Sequence, residues 1–555
     1  MGHVTYIKFC VYYWLSVIVL FCWRAVGLNK VSNDSVPHLR KKDSATQLIV
    51  NGQPFIMLGG QVHNSSSSSL TYMEPIWPRL ASLGLNTVFA PVSWELVEPE
   101  EGKFSFELVD GSIKGARQHG LRLVFLWFGT WKNAESTYAP SWVKTSLERF
   151  HRAQRKPGEN TAAISCLSEA ACKADARAFA ALMQHIRMFD EKEHTVLMMQ
   201  IENETGLTGT SRDRCPMAEK RFIQQVPAEL LQYLDAHLDE LVPEMRRFWE
   251  DAGHQKAGTW AEVFGAGVGA DEVFMAWHVA QYVDAVAAAG KAEYPLPMYV
   301  NAWLGPQHEG QKPGEYPSGG PVARMMDVWH AVAPHIDFLA PDIYLDVFQR
   351  VCREYTHGGN PLMIPEAVRD ERAAANVFYA VGQHDAMCFS PFGIDGIVEP
   401  HPLTKSYRLL REMMPVITKF QGTGRMMGFA DDAAYGPGFS ISLGPFRGFE
   451  RELGGYRLQV RFSKPLEKGK VPAAGIVIAT ADNEYVVAGA GFTLTFAPKQ
   501  GGLPHVEILT VDEGRFEDGR WVQGRRLNGD ESNNCRFVYL GDEPAIRKVN
   551  VHSYA

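Results

Sequence analysis

An alternation constrains this chain more than any other feature. Eight short apolar runs, at residues 55–58, 87–92, 121–128, 195–201, 298–300, 336–340, 362–364 and 387–389, are separated by stretches whose apolar residues recur at helical spacing. Among those stretches are YMEPIWPRLASLG, DARAFAALMQHIRMF and DEVFMAWHVAQYVDAVAAAG, and several end on glycine, which tolerates the left-handed backbone that closes a helix. Short apolar runs suit strands buried on both faces, and strands alternating with helices pair in parallel through crossovers. Eight such units predict an α/β fold, a (β/α)8 or TIM barrel.

Two segments frame the barrel. Ahead of it, LIVNGQPF sets Asn51-Gly52 between apolar arms, a strong hairpin signal. Beyond about residue 422 the helices stop, and YRLQVRF, AGIVIAT, EYVVAGA, FTLTF, HVEILTV, RWVQG and FVYL follow as short strands with turn signals between them. That pattern predicts a β-sandwich-like C-terminal domain. The long gap between the fourth and fifth runs holds PAELLQYLDAHLDELVPEMRRFWEDAG, read as inserted helices. The organisation expected is therefore a signal peptide over 1–27, a polar leader over 28–45, the barrel over 46–421 and a β-rich domain over 422–555.

The signal peptide is inferred from Lys8, the apolar run at 9–23, and the small residues Ala25 and Gly27 where a signal peptidase cuts. The run is short for a membrane span, which needs about 20 residues, so the expectation is secretion, with a signal anchor as the alternative and no stable membrane insertion once the signal is cleaved. Cys10 and Cys22 would leave with it. The remaining Cys166, Cys172, Cys215, Cys352, Cys388 and Cys535 are even in number, compatible with disulfides, and lack CxxC spacing for zinc. A formal charge of -8 over 555 residues gives no footprint for nucleic acid and suits a neutral substrate.

In a (β/α)8 barrel chemistry occurs at the C-terminal ends of the strands. Glu202 and Glu204 end the fourth run in QIENETG, Glu366 ends the seventh in LMIPEA, Asp342 and Tyr344 end the sixth in FLAPDIY, and Glu98 follows the second in SWELVEP. Glutamates at strands four and seven face each other across the mouth, a placement suited to a glycosidic bond: one carboxyl protonates the leaving oxygen while the other attacks the anomeric carbon. A metal-dependent hydrolase would cluster histidines at strand ends, whereas the 18 here are scattered. No metal and no cofactor are expected.

These motifs resemble the retaining (β/α)8 glycosidases, and within them glycoside hydrolase family 35, the β-galactosidases. SWELVEPEEGKFSF is similar to that family's strand-two signature and QIENETG to its QxENEYG motif; GGQVHNSSSS and LWFGTWKN resemble a microbial branch with a β-rich tail, some members of which trim galactose from xyloglucan. The resemblance implies Glu204 as acid/base and Glu366 as nucleophile, with carboxyl groups about 5 to 5.5 Å apart. It further implies Asn203 as a ligand of the sugar 2-hydroxyl and Tyr344 as the residue that holds the nucleophile. The chain departs from the family pattern where strand three reads LWFGTWKN instead of carrying an Ala-Glu-Trp segment, where Glu95 replaces a small polar residue, and where Thr205 replaces tyrosine.

The implied function is exo-acting removal of terminal β-galactosyl residues from an oligosaccharide or polysaccharide, with another retaining exo-β-glycosidase, or a non-catalytic carbohydrate-binding barrel, as alternatives. Further sugar-contact candidates are His63, Glu98, Trp131, Lys132, Asn133 and Trp303, with Glu98 equally suited to holding a loop and Trp94 read as barrel wall. Two positions apart on a strand, Glu202 and Glu204 should share one face, and Glu202, if buried, needs a cation or hydrogen-bond donors. Asn203 also heads a glycosylation sequon, as do Asn33 and Asn64, but an asparagine facing a substrate has no room for a glycan.

Overall fold

The computed structural model describes residues 36–432, 447–463, 467 and 469–555. The signal segment and Asn33 lie outside them. All eight anticipated strands form: β1 (Met57–Gln61), β2 (Thr87–Ser93), β3 (Arg122–Lys132), β4 (Val196–Asn203), β5 (Met298–Trp303), β6 (Phe338–Ile343), β7 (Met363–Ala367) and β8 (Cys388–Pro391). They close in sequence order into a parallel barrel, β8 pairing back onto β1. Every strand but the end positions of β3 and β5 is buried along its length, as expected of a sheet covered by helices outside and filled by side chains within.

Asn51 and Gly52, both at positive φ, turn the hairpin between Ala45–Val50 and Gln53–Phe55. Its Leu48 and Val50 join Met57, Phe89, Val124, Leu126, Leu197, Tyr299, Phe338 and Met363 in one apolar cluster, so the hairpin seals the barrel's N-terminal end. His194, just before β4, meets the turn at Asn51 Oδ1, 2.7 Å away. The polar leader is not wholly outside the fold: His38–Lys42 pairs antiparallel with Ala45–Val50, and Lys42 Nζ donates to Gln421 O at 2.6 Å.

Two of the helical patterns lie in the long helices Glu169–Asp190 and Val268–Glu293, and the third, YMEPIWPRLASLG, is split into the short helices Leu70–Met73 and Ile76–Ser82; Pro402–Phe420 is a further long helix. The inserted helices are Ala228–Ala236 and Pro243–Asp251, and they pack beside the outer helix Met326–Val332, whose Asp327 accepts the Val242 N–H at 2.9 Å. A small ribbon, Arg152–Lys156 with Glu159–Ile164, was not anticipated because RAQRK and ENTAAI carry no apolar alternation.

The C-terminal domain consists of a six-stranded and a four-stranded antiparallel sheet with an apolar core between them. All seven strand motifs read from the sequence form, joined by Met426–Ala430, Gly448–Leu453 and Ala545–Tyr554. The domain meets the barrel through the helix Ala373–His384: a Cβ on Gly382 would stand 2.7 Å from the Gly428 Cα, so both glycines serve this close approach. None of the six described cysteines is in a disulfide, and no described helix is long and apolar enough to cross a membrane.

Candidate active site

β4 ends in an irregular turn that separates the two glutamates. Glu202 and Glu204 both have positive φ, 59° and 47°, so the alternation that would place them on one face fails. Glu202 turns away from the mouth and lies fully buried against Asp175 of the helix Glu169–Asp190. The Thr130 N–H donates to both carboxyls, Trp131 N–H donates to Glu202 Oε2 at 2.6 Å, and Trp127 Nε1–H donates to Asp175 Oδ1 at 2.8 Å. The two carboxyls also hydrogen-bond to each other, and burial pushes both up, so the pair retains a proton instead of recruiting a cation. Gly129 makes room for them: a Cβ there would come within 2.7 Å of both Asp175 Oδ1 and Glu202 Oε1.

Glu204 faces the mouth. Its backbone N–H donates to Asn301 Oδ1 at 2.9 Å, and the Asn301 amide donates in turn to Asp342 Oδ2 at 2.6 Å. The Glu204 and Asp342 carboxyls are in hydrogen-bond contact. Burial, then the like charge of Glu366, raises the Glu204 carboxyl to about 7 in spite of the nearby Lys132 ammonium. Burial and the two glutamates likewise push Asp342 well above the usual carboxylate range.

Glu366, near the end of β7, is surrounded by donors. Gln61 Nε2–H donates to its Oε1 at 2.9 Å, Tyr344 O–H to its Oε2 at 2.6 Å, and Asn203 Nδ2–H reaches Oε1 at 3.5 Å. Donors supplied from β1, β4 and the residue just after β6 hold the carboxyl in one orientation. Asn203 Oδ1 and Gln61 Oε1 are buried with no hydrogen-bond partner among the described residues. The mouth therefore holds a carboxyl that keeps its proton and a carboxyl fixed by three donors.

The remaining candidates divide. Tyr344 lies beside Glu366, and Trp303, half-buried at the end of β5, pairs in register with Asp342. Lys132 lies over the Phe128 ring, hydrogen-bonded to Asn133, and its charge is felt by Glu204 and Asp342; Asn133 itself is exposed at φ 53°. His63 stands at the rim, its Nδ1 2.8 Å from Asp395 Oδ1. Two expectations are corrected. Glu98 is fully buried, with both oxygens taken by Trp94 Nε1–H, the Gly102 N–H and Arg177, so it ties a loop to a helix. Trp131 is buried against Tyr282 with its indole N–H on Ile164 O, and offers no ring face to a sugar.

Trp94 is barrel wall, as expected. Buried Asn203 cannot carry a glycan in the folded chain. Sequence reasoning missed Gln61 and Asn301. Gln61 is in the GGQVHN motif two residues before His63, and a polar side chain at the last position of a buried strand was the available signal.

A (β/α)8 barrel with a proton-holding carboxyl at strand four and a donor-held carboxyl at strand seven has the architecture of the two-carboxylate glycoside hydrolases. Residues 47–240 match the model of Glycosyl hydrolases family 35. Residues 403–539 match a domain of unknown function, DUF5597. Beta-galactosidase 13 of Arabidopsis thaliana is 29% identical over 170 residues, covering 29% of this chain and 18% of that protein. The beta-galactosidase of Xanthomonas manihotis is 28% identical over 181 residues, 32% of this chain and 28% of that one. The chain thus spans less than a third of the length of the curated relatives it matches. Among solved structures, a beta-galactosidase from Bacillus circulans sp. alkalophilus overlaps at 13% identity and TM-score 0.44, over 64% of this chain and 56% of that one.

Proposed function

We propose that this protein is a β-galactosidase that removes terminal β-galactosyl residues by double displacement. Glu366 attacks the anomeric carbon as Glu204 protonates the leaving oxygen; Glu204 then takes a proton from water, which hydrolyses the galactosyl ester. The observation that carries this is the contrast between the two glutamates: three donors converge on the Glu366 carboxyl and fix its orientation, while burial and its neighbour's charge keep the proton on Glu204. The free buried oxygens of Asn203 and Gln61 supply acceptors for sugar hydroxyls, and Trp303 a ring face at the rim.

Galactose as the sugar is supported by the family of residues 47–240 and by the names of the relatives. Exo action on plant oligosaccharides or polysaccharide side chains such as xyloglucan is supported by the likeness of GGQVHNSSSS and LWFGTWKN to the microbial branch. The signal-like segment supports work outside the cytoplasm. A second reading, a sister exo-β-glycosidase with another sugar, is favoured by strand three, where Trp131 is buried and no Ala-Glu-Trp segment is present. A panel of aryl glycosides differing only in the sugar decides between them, a tenfold preference for another sugar selecting the second. Glu204→Gln and Glu366→Gln should each cost at least about 10² in rate on the preferred glycoside; losses within tenfold for both refute the assignment.

A further inference from the structure

The turn that ends β4 sends three consecutive side chains in different directions: Glu202 to the Thr130 and Trp131 N–H groups, Asn203 to Glu366, and Glu204 into the mouth. The ladder between β4 and β5 runs only through Met199 and Gln200, opposite Met298 and Tyr299, so the backbone groups beyond it need other partners. Side-chain amides supply two of them. Gln200 Nε2–H donates to Glu202 O at 2.9 Å, ahead of Asn203, and Asn301 Oδ1 accepts the Glu204 N–H at 2.9 Å, behind it. Both glutamates are at positive φ, a sparsely populated conformation for a residue with a side chain, which persists only where its surroundings over-determine it.

Asn301 is itself tightly constrained. It is buried on β5, two positions after Tyr299 and so on the same inward face, and the Tyr299 ring stacks on Phe338 with centroids 5.5 Å apart. Asn301 Nδ2–H donates to Asp342 Oδ2 at 2.6 Å, which turns the nitrogen to the carboxyl and leaves the oxygen for the Glu204 N–H. We propose that Asn301 is a positioning residue for the acid/base: by gripping the Glu204 N–H it holds the left-handed backbone that aims the Glu204 carboxyl into the mouth, and Asp342 acts by orienting the Asn301 amide. This rests on the acid/base role of Glu204 given above. Without the Oδ1 acceptor a buried N–H is left unpaired. Finding it another partner requires the backbone to rotate, which swings the Glu204 carboxyl away from the leaving oxygen. Gln61 and Tyr344 still hold Glu366, so the loss falls on proton donation and spares the attack.

The test is Asn301→Ala, assayed on two aryl glycosides of the preferred sugar: a phenyl glycoside, whose leaving oxygen needs a proton, and a dinitrophenyl glycoside, whose phenolate departs without one. For both, kcat/KM reports the step in which the leaving group departs. It is expected to fall by at least about 30-fold on the phenyl glycoside and to stay within about threefold on the dinitrophenyl glycoside, since a positioned acid contributes about 10² to 10⁴ in rate. A side chain that only supported the barrel would lower both alike. The crystal structure of the substrate-free variant should show Glu204 out of the left-handed region with its carboxyl displaced. Should Asn301→Ala fail to fold, Asn301→Ser, whose hydroxyl is too short to span both partners, must give the same split. Equal losses on the two glycosides, or a Glu204 backbone and carboxyl unmoved in the variant crystal, overturn the proposal. Wild-type protein that cleaves neither glycoside refutes the function proposed above, and the variant crystal then decides the positioning role alone.

Discussion

Replacing Glu204 by glutamine should stabilise the protein at alkaline pH while disabling it. The Glu204 carboxyl is raised from 4.5 to about 7 by burial and by the Glu366 charge, which corresponds to about 3 kcal/mol between its two protonation states. The folded chain holds this proton more tightly than the unfolded one, so the folded state binds more protons between pH 4.5 and 7. Stability contributed by the group is therefore complete below pH 4.5, falls as pH rises through that window, and is fully lost above 7. Glu204→Gln removes the ionisation and with it the loss. Urea unfolding followed at pH 4.5 and at pH 8 should give the same midpoint for variant and wild type at the lower pH. At the higher pH the variant midpoint should be greater, by an amount corresponding to about 3 kcal/mol and less if Asp342 takes up part of the released charge. The same ionisation predicts an alkaline limb near pH 7 in the wild-type kcat/KM profile, since about nine-tenths of Glu204 is protonated at pH 6 and about one-tenth at pH 8. A variant equally shifted at both pH values, or less stable than wild type at pH 8, would refute the view that the fold holds this carboxyl against its own ionisation.

Tyr344→Phe removes the 2.6 Å hydrogen bond to Glu366, and at about 1.5 to 3 kcal/mol for a bond to a charged group kcat/KM should fall roughly 10- to 150-fold with the melting profile nearly unchanged; steady-state kinetics on an aryl glycoside checks this. Glu98→Ala should act oppositely, costing about 2 kcal/mol or more in denaturant unfolding by leaving the buried Trp94 Nε1–H and the Gly102 N–H unpaired, with KM retained in the folded fraction. Gly129→Ala forces a methyl against the Asp175 and Glu202 oxygens and should lower stability by about 1–3 kcal/mol in the same assay. Because the described cysteines are all free, added dithiothreitol should leave the thermal midpoint where it was.

Much of the fold was legible because burial is written into the chain as periodicity. Strands covered on both faces must be apolar throughout, and helices covered on one must repeat at 3.6, so the eight β/α units, the Asn-Gly hairpin and seven strands of the tail could be read directly. What escaped carried no such signature. The ribbon of Arg152–Lys156 and Glu159–Ile164 is polar on both faces, and Gly448–Leu453 and Ala545–Tyr554 mix charged residues into their alternation. The site divided in the same way. Glu204 and Glu366 were legible because strand ends in this fold converge, whereas the fates of Glu98 and Trp131 depended on Arg177 and Tyr282, which lie far along the chain on outer helices.

By itself, the sequence determined that Glu204, Asp342 and Glu366 stand at strand ends, because strand order and length fix what lies there. Tertiary structure alone decided what each carboxyl became. Two positive φ angles sent Glu202 into a proton-sharing pair with Asp175 and left Glu204 against Asp342. Donors from Gln61, Asn203 and Tyr344, at or just beyond the ends of three strands, fixed the orientation of Glu366. Protonation state is a property of burial and of neighbours in space, and those neighbours are separated from Glu366 by up to 305 residues of chain.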